Sequence, residues 1–498
     1  MFVREHRHEV LAATFPATLT ATERAEPGGK APVAAGLLAL APLVPASWHV
    51  GDRDAVDLTG MDKRWQRVLD GLGAEPPPLS QRTLGNCRRR LMAHTRDKSL
   101  LERPVTGAEQ PGGLGARHLR AAADSTPLCG AGRVAATLHL RGQAWRKAGG
   151  RAARALGVSA AARREEAGWG LGGPSSRKAA LDLDWGQPQA REPAPRLGLA
   201  AVARWTTWLE QPPRRMEEGA PLKDVMDTIA PLVTQDTAPD PAGGPGGPRR
   251  QTPGAPARRL SRAEADMRHG RKSRAKTCHG LPAHCGLDWA RQVPRAVVVR
   301  PAPEPAHAAV ARLVETLAQP PGLLQRAIDL GDRASPRLTP GAAPGVSSMA
   351  RPWPQGGPRF TKDAFTCDFG PGQVTCPGGQ TVPMVPGQDA QFPASACDRC
   401  PPRAQCPTAR RGPGRSLAIR ADAQLQPKLR AKSKTKRGRA ALRKRTAVAP
   451  AIFHHIAHQG RRAREKGLRK NPFDGRRHAA VSHLQGAAHD IEERPLAS

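Results

Sequence analysis

Tyrosine is absent from all 498 residues, and phenylalanine and tryptophan bring the aromatic share to only 3%. A core built on large rings is therefore excluded, and the area available for burial is small, so packing should stabilise the fold only marginally. The 51 glycines and 51 prolines, about a fifth of the chain, point the same way. Long apolar runs are lacking too. The most apolar one, APVAAGLLALAPLVPA (31–46), has 16 residues and three prolines, short of the roughly 20 needed to cross a bilayer. The opening MFVREHRHEV is not the basic tip and apolar core of an export signal, so a cytoplasmic location is expected. In that reducing setting the nine cysteines read as metal ligands or thiols before disulfides.

Acidic residues become scarcest toward the C-terminus. From Ala423 to Arg464 there is no Asp or Glu, yet thirteen Lys or Arg. The net charge is +35, and Pro401–Ser498 alone holds 24 basic against 6 acidic residues. Such a block binds polyanions through counterion release, which makes nucleic acid the leading partner. A solvated basic tail is the plainer alternative.

What is present is patterned. MDKRWQRVLDGLG (61–73) sets Trp65, Val68 and Leu69 on one helical face. Ser80 reads as the N-cap of LSQRTLGNCRRRLMAH, with Leu84, Cys87 and Leu91 on one stripe and Arg88, Arg89 and Arg90 beside it. Short helices with basic faces suit a helix-turn-helix-like DNA-binding module, or an ordinary helical bundle. LRAAADSTPLCGAG (119–132) reads as a strand ending at Asp124, and residues 140–230 as Ala-rich helix. DTAPDPAGGPGGPRRQTPGAPAR (236–258) is a linker by composition. EADMRHGRKSRAK (264–276) is a basic turn, RAVVVRPAP (295–303) a β-branched strand, and LLQRAIDLGD (323–332) an apolar stretch ending at Asp329 and Asp332.

Cys376, Cys397, Cys400 and Cys406 follow the spacing C-x20-C-x2-C-x5-C. Two thiolates from one tight turn and two more can close a tetrahedral S4 site, which suits a structural Zn2+. Cys367 is an alternative ligand, and free thiols or redox work are alternative roles. Upstream, TCHGLPAHC (277–285) offers Cys278, His279, His284 and Cys285, but adjacent Cys-His pairs diverge on an extended chain, so it is read as a chance juxtaposition.

Six collinear blocks resemble bacterial insertion-sequence transposases of the DDE class, in the group with a Cys-rich insertion before the last catalytic helix. They are residues 54–103, LRAAADSTPLCGAGRV (119–134), DMRHGRKSR (266–274), AFTCDFGPGQVTCPGG (364–379), the cysteine cluster and GRRAREKGLRKNPFDGRR (460–477). The resemblance implies an α/β fold: a ribonuclease-H-like mixed sheet with a helical N-terminal domain, insertions and long Pro/Gly-rich loops. It implies a loose leader (1–30), a DNA-binding helical domain (31–105) and the first part of the catalytic core (106–345). A zinc-binding insertion (346–420), a basic helical part of the core (421–485) and a tail (486–498) would follow. The partners implied are double-stranded DNA, as terminal inverted repeats and target, and a homodimer; the place is the bacterial cytoplasm at the nucleoid, with no membrane.

Asp124 matches the family's first metal-binding acid and Asp329 its second, with Asp332 in reserve; together they would hold Mg2+ or Mn2+. The residues expected on DNA are Arg88, Arg89, Arg90, Arg271, Lys272, Arg445, Arg461, Arg462, Arg464, Arg469 and Lys470. The third acid is missing. The family's arginine, three residues, then glutamate becomes Arg445 through Ala449, followed by Pro450, which costs about 3 kcal/mol if a helix runs through it. Glu465 stands sixteen residues on and cannot take its place. A degenerate transposase with impaired strand cleavage is therefore expected; a non-catalytic zinc-containing DNA-binding protein and a largely unfolded product are the alternatives.

Overall fold

The computed structural model describes residues 33–73, 77–95, 119–156, 258–271, 277–289, 293–304, 306–317, 324–329, 347–350, 359–406, 414–421, 423–443 and 462–492, with a few isolated positions between them. Five helices open the described chain: α1 (Ala35–Leu40), α2 (Leu43–Ser47), α3 (Asp52–Met61), α4 (Lys63–Val68) and α5 (Gln81–Ala93). Local chemistry explains their starts. Asp62 accepts the Arg64 N–H at 2.8 Å before α4, and the Ser80 hydroxyl accepts the Thr83 N–H at 3.1 Å before α5. The stripe Leu84, Cys87 and Leu91 is buried, and burial pushes the Cys87 thiol up to about 11.

A mixed sheet forms the centre. Its strands are β1 (Leu119–Cys129), β2 (Arg268–Arg271), β3 (Thr277–Asp288), β4 (Pro294–Val299), β5 (Leu324–Asp329) and β6 (Ser347–Ala350). The order is β2-β3-β1-β5-β6, and β4 also pairs with β3. β3 runs antiparallel to β1, β2 and β4, whereas β5 is parallel to β1 and β6 parallel to β5. The fold is thus α/β, a mixed sheet with helices packed on it. β1 does not end at Asp124 as expected; it continues to Cys129 because Asp124 through Cys129 all pair with β3.

Alternation along the strands divides the core. Leu119, Ala121, Ala123 and Ala296 meet Val310, Leu313, Val314 and Leu317 of helix α7 (Ala306–Leu317), whose i, i+3, i+4, i+7 spacing gives one apolar face. Ala122, Leu128, Leu281, Ala283, Cys285, Val297 and Val299 face the other way. They meet Ala479, Ala480, Val481 and Leu484 of the C-terminal helix α10 (Gly467–Glu492), together with the N-terminal helices. Helix α6 (Thr137–Leu156) follows β1.

Two prolines face each other across the sheet, Pro127 and Pro282. Neither has an N–H to give, so each must sit where no neighbour needs one. Pro282 falls in the gap between the stretch of β3 that pairs with β2 and the stretch that pairs with β4. Pro127 lies beyond Ala123, the last residue of β1 to pair with β5. Gly280 is required for a different reason: a Cβ there would lie 2.0 Å from the Leu128 carbonyl oxygen.

The cysteine region is a small unit of its own. A three-stranded antiparallel sheet, β7 (Thr366–Asp368), β8 (Gln373–Thr375) and β9 (Thr381–Pro383), precedes a hairpin of β10 (Asp389–Gln391) and β11 (Ser416–Ala418). The short α8 (Ala394–Asp398) lies within that hairpin in sequence, and Phe365, Val374, Phe392, Leu417 and Ile419 form the unit's core. Helix α9 (Leu425–Lys434) follows.

The N-terminal helices are joined to α10 by stacked imidazoles. His49 and His478 lie 5.2 Å apart at 8°. Burial pushes the buried His478 down to about 4, helped by Arg477, His49 and Arg464 and opposed by Asp474, whose Oδ1 is 3.7 Å away. The folded pKa lies below the unfolded value near 6.5, so this contribution is complete above about pH 6.5 and is lost as pH falls toward 4. Its full size is on the order of 3 kcal/mol. Thermal melting from pH 7.5 to 4.5 should show Tm falling, and His478→Asn should flatten that dependence.

Candidate active site

Asp124 stands in the middle of β1, on the face that looks toward α10, and is 7% exposed. Its Oδ1 accepts the Ser125 N–H at 2.8 Å, which fixes the carboxylate. Across the ladder is Cys285, a fully buried thiol pushed far up by burial and by the Asp124 charge. On the other side, register sets Asp329 beside Ala123, so the two aspartates are one residue out of step on neighbouring parallel strands. Paired residues of a parallel ladder share a face, so position 329 falls on the Ala123 face of the sheet and Asp124 on the opposite one. Asp332 and the Ala449-Pro450 position lie outside the described residues, as do Lys272, Arg445 and Arg461.

The TCHGLPAHC motif resolves into strand alternation. Cys278 and His284 lie on one face of β3 and His279 and Cys285 on the other. His279 instead meets His269 of β2, with Nδ1 atoms 3.3 Å apart, and His284 is buried opposite Ser125.

In the cysteine unit, Cys376, Cys397, Cys400 and Cys406 come near one another. The Cys400 thiol is raised by burial and then by Cys376, Cys397 and Cys406, with Arg403 opposing. Gly378 lies against two of them: a Cβ there would meet Cys400 Sγ at 2.6 Å and Cys376 Sγ at 3.7 Å. Cys367 is separate, raised by its own burial and packed on the unit's core. The structure gives the expected closed zinc site no support, however. Among the described residues no group of three or more His, Cys, Asp or Glu is arranged to hold a metal ion.

The basic residues divide between two tasks. Arg88 is bonded to Asp52, lies 3.9 Å from Glu465 and is only 19% exposed at its side chain. Arg464 donates to the carbonyl oxygens of Val50, at 2.9 Å, and His49, and Arg469 donates to that of Met92. These three tie the N-terminal helices to the start of α10. Arg89, bonded to Asn86, is exposed, as are Arg462 and Lys470, while Arg90 is half-buried. Arg271 ends β2.

Sequence reading missed two acids beside a block it had marked as basic. Glu264, 1% exposed, accepts the Gly132 N–H at 2.7 Å and the Gly467 N–H at 3.4 Å. Asp266 accepts the Leu468 N–H at 2.8 Å. Both carboxylates sit at the N-terminus of α10, where the helix dipole favours them. The clue was the acid pair directly ahead of MRHGRKSR in an otherwise basic stretch.

Residues 375–482 match the family model described as a transposase DDE domain. Over that span the chain is similar to DDE-class transposases. No curated protein and no solved structure matches the chain. The matched span takes in most of the cysteine unit, α9, the Ala449-Pro450 position and most of α10, while Asp124 and Asp329 lie before it. Among the described residues no helix is long and apolar enough to cross a membrane.

The arginine geometry gives a direct expectation. Arg88→Ala strands the largely buried Asp52 carboxylate and should cost about 1–3 kcal/mol, whereas Arg89→Ala should leave the melting temperature unchanged. Thermal melts of the two variants beside the parent decide it.

Proposed function

We propose that this chain descends from an active DNA transposase, binds element ends as a homodimer in the bacterial cytoplasm, and retains little strand cleavage and transfer. The observation that carries this is the placement of Asp124 and Asp329 on adjacent parallel strands of a mixed, helix-flanked sheet, which supports a ribonuclease-H-like core. The match to the transposase DDE domain over the C-terminal part supports it independently.

The residues present fit a divalent cation in part. Asp124 supplies a carboxylate whose orientation the Ser125 N–H fixes, while Asp329 stands one residue out of step on the neighbouring strand, at a position on the opposite face. Mg2+ or Mn2+ held at Asp124 would activate water or a 3′-hydroxyl and stabilise the leaving oxygen. At the third position Ala449 offers no oxygen, and Pro450 removes a backbone donor from the helix expected there. A cation left with Asp124 as its one aligned carboxylate is held weakly and with poor geometry. The exposed Arg89, Arg462 and Lys470 supply attraction for DNA without depending on that site.

A cleavage assay on the element's terminal repeats with Mg2+ or Mn2+ tests the reading. We expect duplex binding with cleavage at or near background. Robust turnover that Asp124→Ala abolishes would show the site to be intact and would overturn the claim of impairment.

The gathered thiols favour a second reading, a non-catalytic zinc-containing DNA-binding protein. The four cysteines would have to draw together around the ion and lose their protons to it. Metal analysis should then find about one zinc per chain, with structure lost on chelation; a chain free of zinc and indifferent to chelator removes this reading.

A further inference from the structure

The stretch from Ala423 to Arg464, which has no Asp or Glu, turns a sharp corner at Thr435. α9 ends at Lys434, and residues 436–443 form a second helical stretch. The turn is locked by its own bonds. The Thr435 hydroxyl donates to the Lys432 carbonyl at 2.8 Å and accepts the Gly438 N–H at 2.9 Å, and the Arg439 N–H reaches the Thr435 carbonyl at 2.9 Å. Gly438 is required by the closeness of the two arms, since a Cβ there would lie 2.0 Å from the Lys432 carbonyl oxygen. Each arm is pinned inward by an apolar residue. Leu429 joins the core that includes Val310, Leu313 and Leu317 of α7, and Ala441 joins the core on the other face of the sheet, where α10 lies. α9 also packs on β6, the last strand in the described order. The corner is therefore a fixed part of the fold, held at the β6 side of the sheet.

With Gly438 and Ala441 turned inward, Lys436, Arg439 and Arg443 fall at i, i+3 and i+7 on the outer face, and all three are exposed. Seven residues of helix rise about 10 Å, which is the rise of roughly three base-pair steps along one strand of duplex. Lys434 and Arg437 are exposed beside this line. Charge of one sign repeated over that length complements a nucleic-acid backbone. A bilayer suits it less, because the exposed residues between 434 and 443 are Lys, Thr, Arg and Ala, with no large apolar side chain to enter lipid. The same residues offer little for reading bases. None is Asn or Gln, which would pair an adenine. The Thr435 hydroxyl is taken by its own turn, and Arg439 gives its Nη1 to the Lys434 carbonyl at 2.6 Å.

We propose that the corner at 434–443 is a sequence-blind clamp on the phosphates of duplex DNA. It rests on the DNA reading above and deepens it, because it separates the grip on the backbone from recognition of the element ends. The test is duplex affinity of the full chain, measured by fluorescence anisotropy over a range of salt, on an element end and on a scrambled duplex of equal length. Lys436→Gln/Arg443→Gln should make the slope of log K against log salt shallower by about 1 to 2, at roughly 0.9 for each phosphate no longer neutralised. It should also weaken both duplexes by the same factor. Arg312→Gln/Arg359→Gln, exposed elsewhere on the chain, should leave the slope unchanged. Melting curves establish that both variants fold. An unchanged slope in the corner variant, an equal reduction in both variants, or a loss confined to the element end overturns the clamp and leaves the DNA reading standing. A corner variant that keeps its duplex slope yet no longer binds phosphatidylserine vesicles gives the corner to a membrane instead. A parent chain that binds no duplex removes the DNA reading itself, and the clamp with it.

Discussion

The grip of Glu264 and Asp266 on the N-terminus of α10 is the contact on which the rest of the structure depends. A helix start leaves amide groups without intrahelical partners, and here buried or half-buried carboxylates from a distant part of the chain take them. Glu264 also holds Gly132, so one side chain joins the turn after β1 to the start of the last helix. With so few aromatic residues to bury, the chain relies on charge-assisted hydrogen bonds to position α10 on the sheet. Once α10 is fixed, it closes the face that carries Asp124 and offers the N-terminal helices a surface on which to pack.

That surface is fastened by residues that look, in sequence, like a DNA-binding array. Arg464 and Arg469 give their guanidinium groups to backbone carbonyls of the N-terminal helical region, and Arg88 gives its own to Asp52. Burial lowers the pKa of Arg464, the mark of a cation drawn partly out of water. A strongly basic segment can therefore be part adhesive and part interface. Charge counts alone do not separate the two.

Much of the local structure could be read from the sequence. The Ser80 cap, the Leu84, Cys87 and Leu91 stripe and the RAVVV strand all obey short-range rules of capping and periodicity. The stretch that reads as linker by composition, in contrast, contains a two-residue ladder, Thr237–Ala238 with Arg249–Arg250. The twelve-residue β3 is invisible in sequence because Gly280, Pro282 and Gly286 argue against a strand, and the glycines are there for close approach. Gly286, for example, makes room for Leu317. The far end of β1 is hidden for the same reason: Pro127 is tolerated by a ladder that only the three-dimensional pairing reveals. The position of Asp124 beside Asp329, a long-range relation, entered only through family resemblance.

The facing prolines bear on how this molecule keeps to itself. Beyond Ala123, β1 has no neighbour among the described residues on its β5 side until Cys129, where Arg462 forms an isolated bridge and Ala463 donates its N–H to the Cys129 carbonyl. A stretch of bare strand edge is a template on which another chain can polymerise. Pro127 sits inside that stretch and interrupts its row of donors, while Arg462 and Ala463 stopper the end. The same missing amide that makes the strand hard to recognise also denies neighbouring molecules a sticky seam.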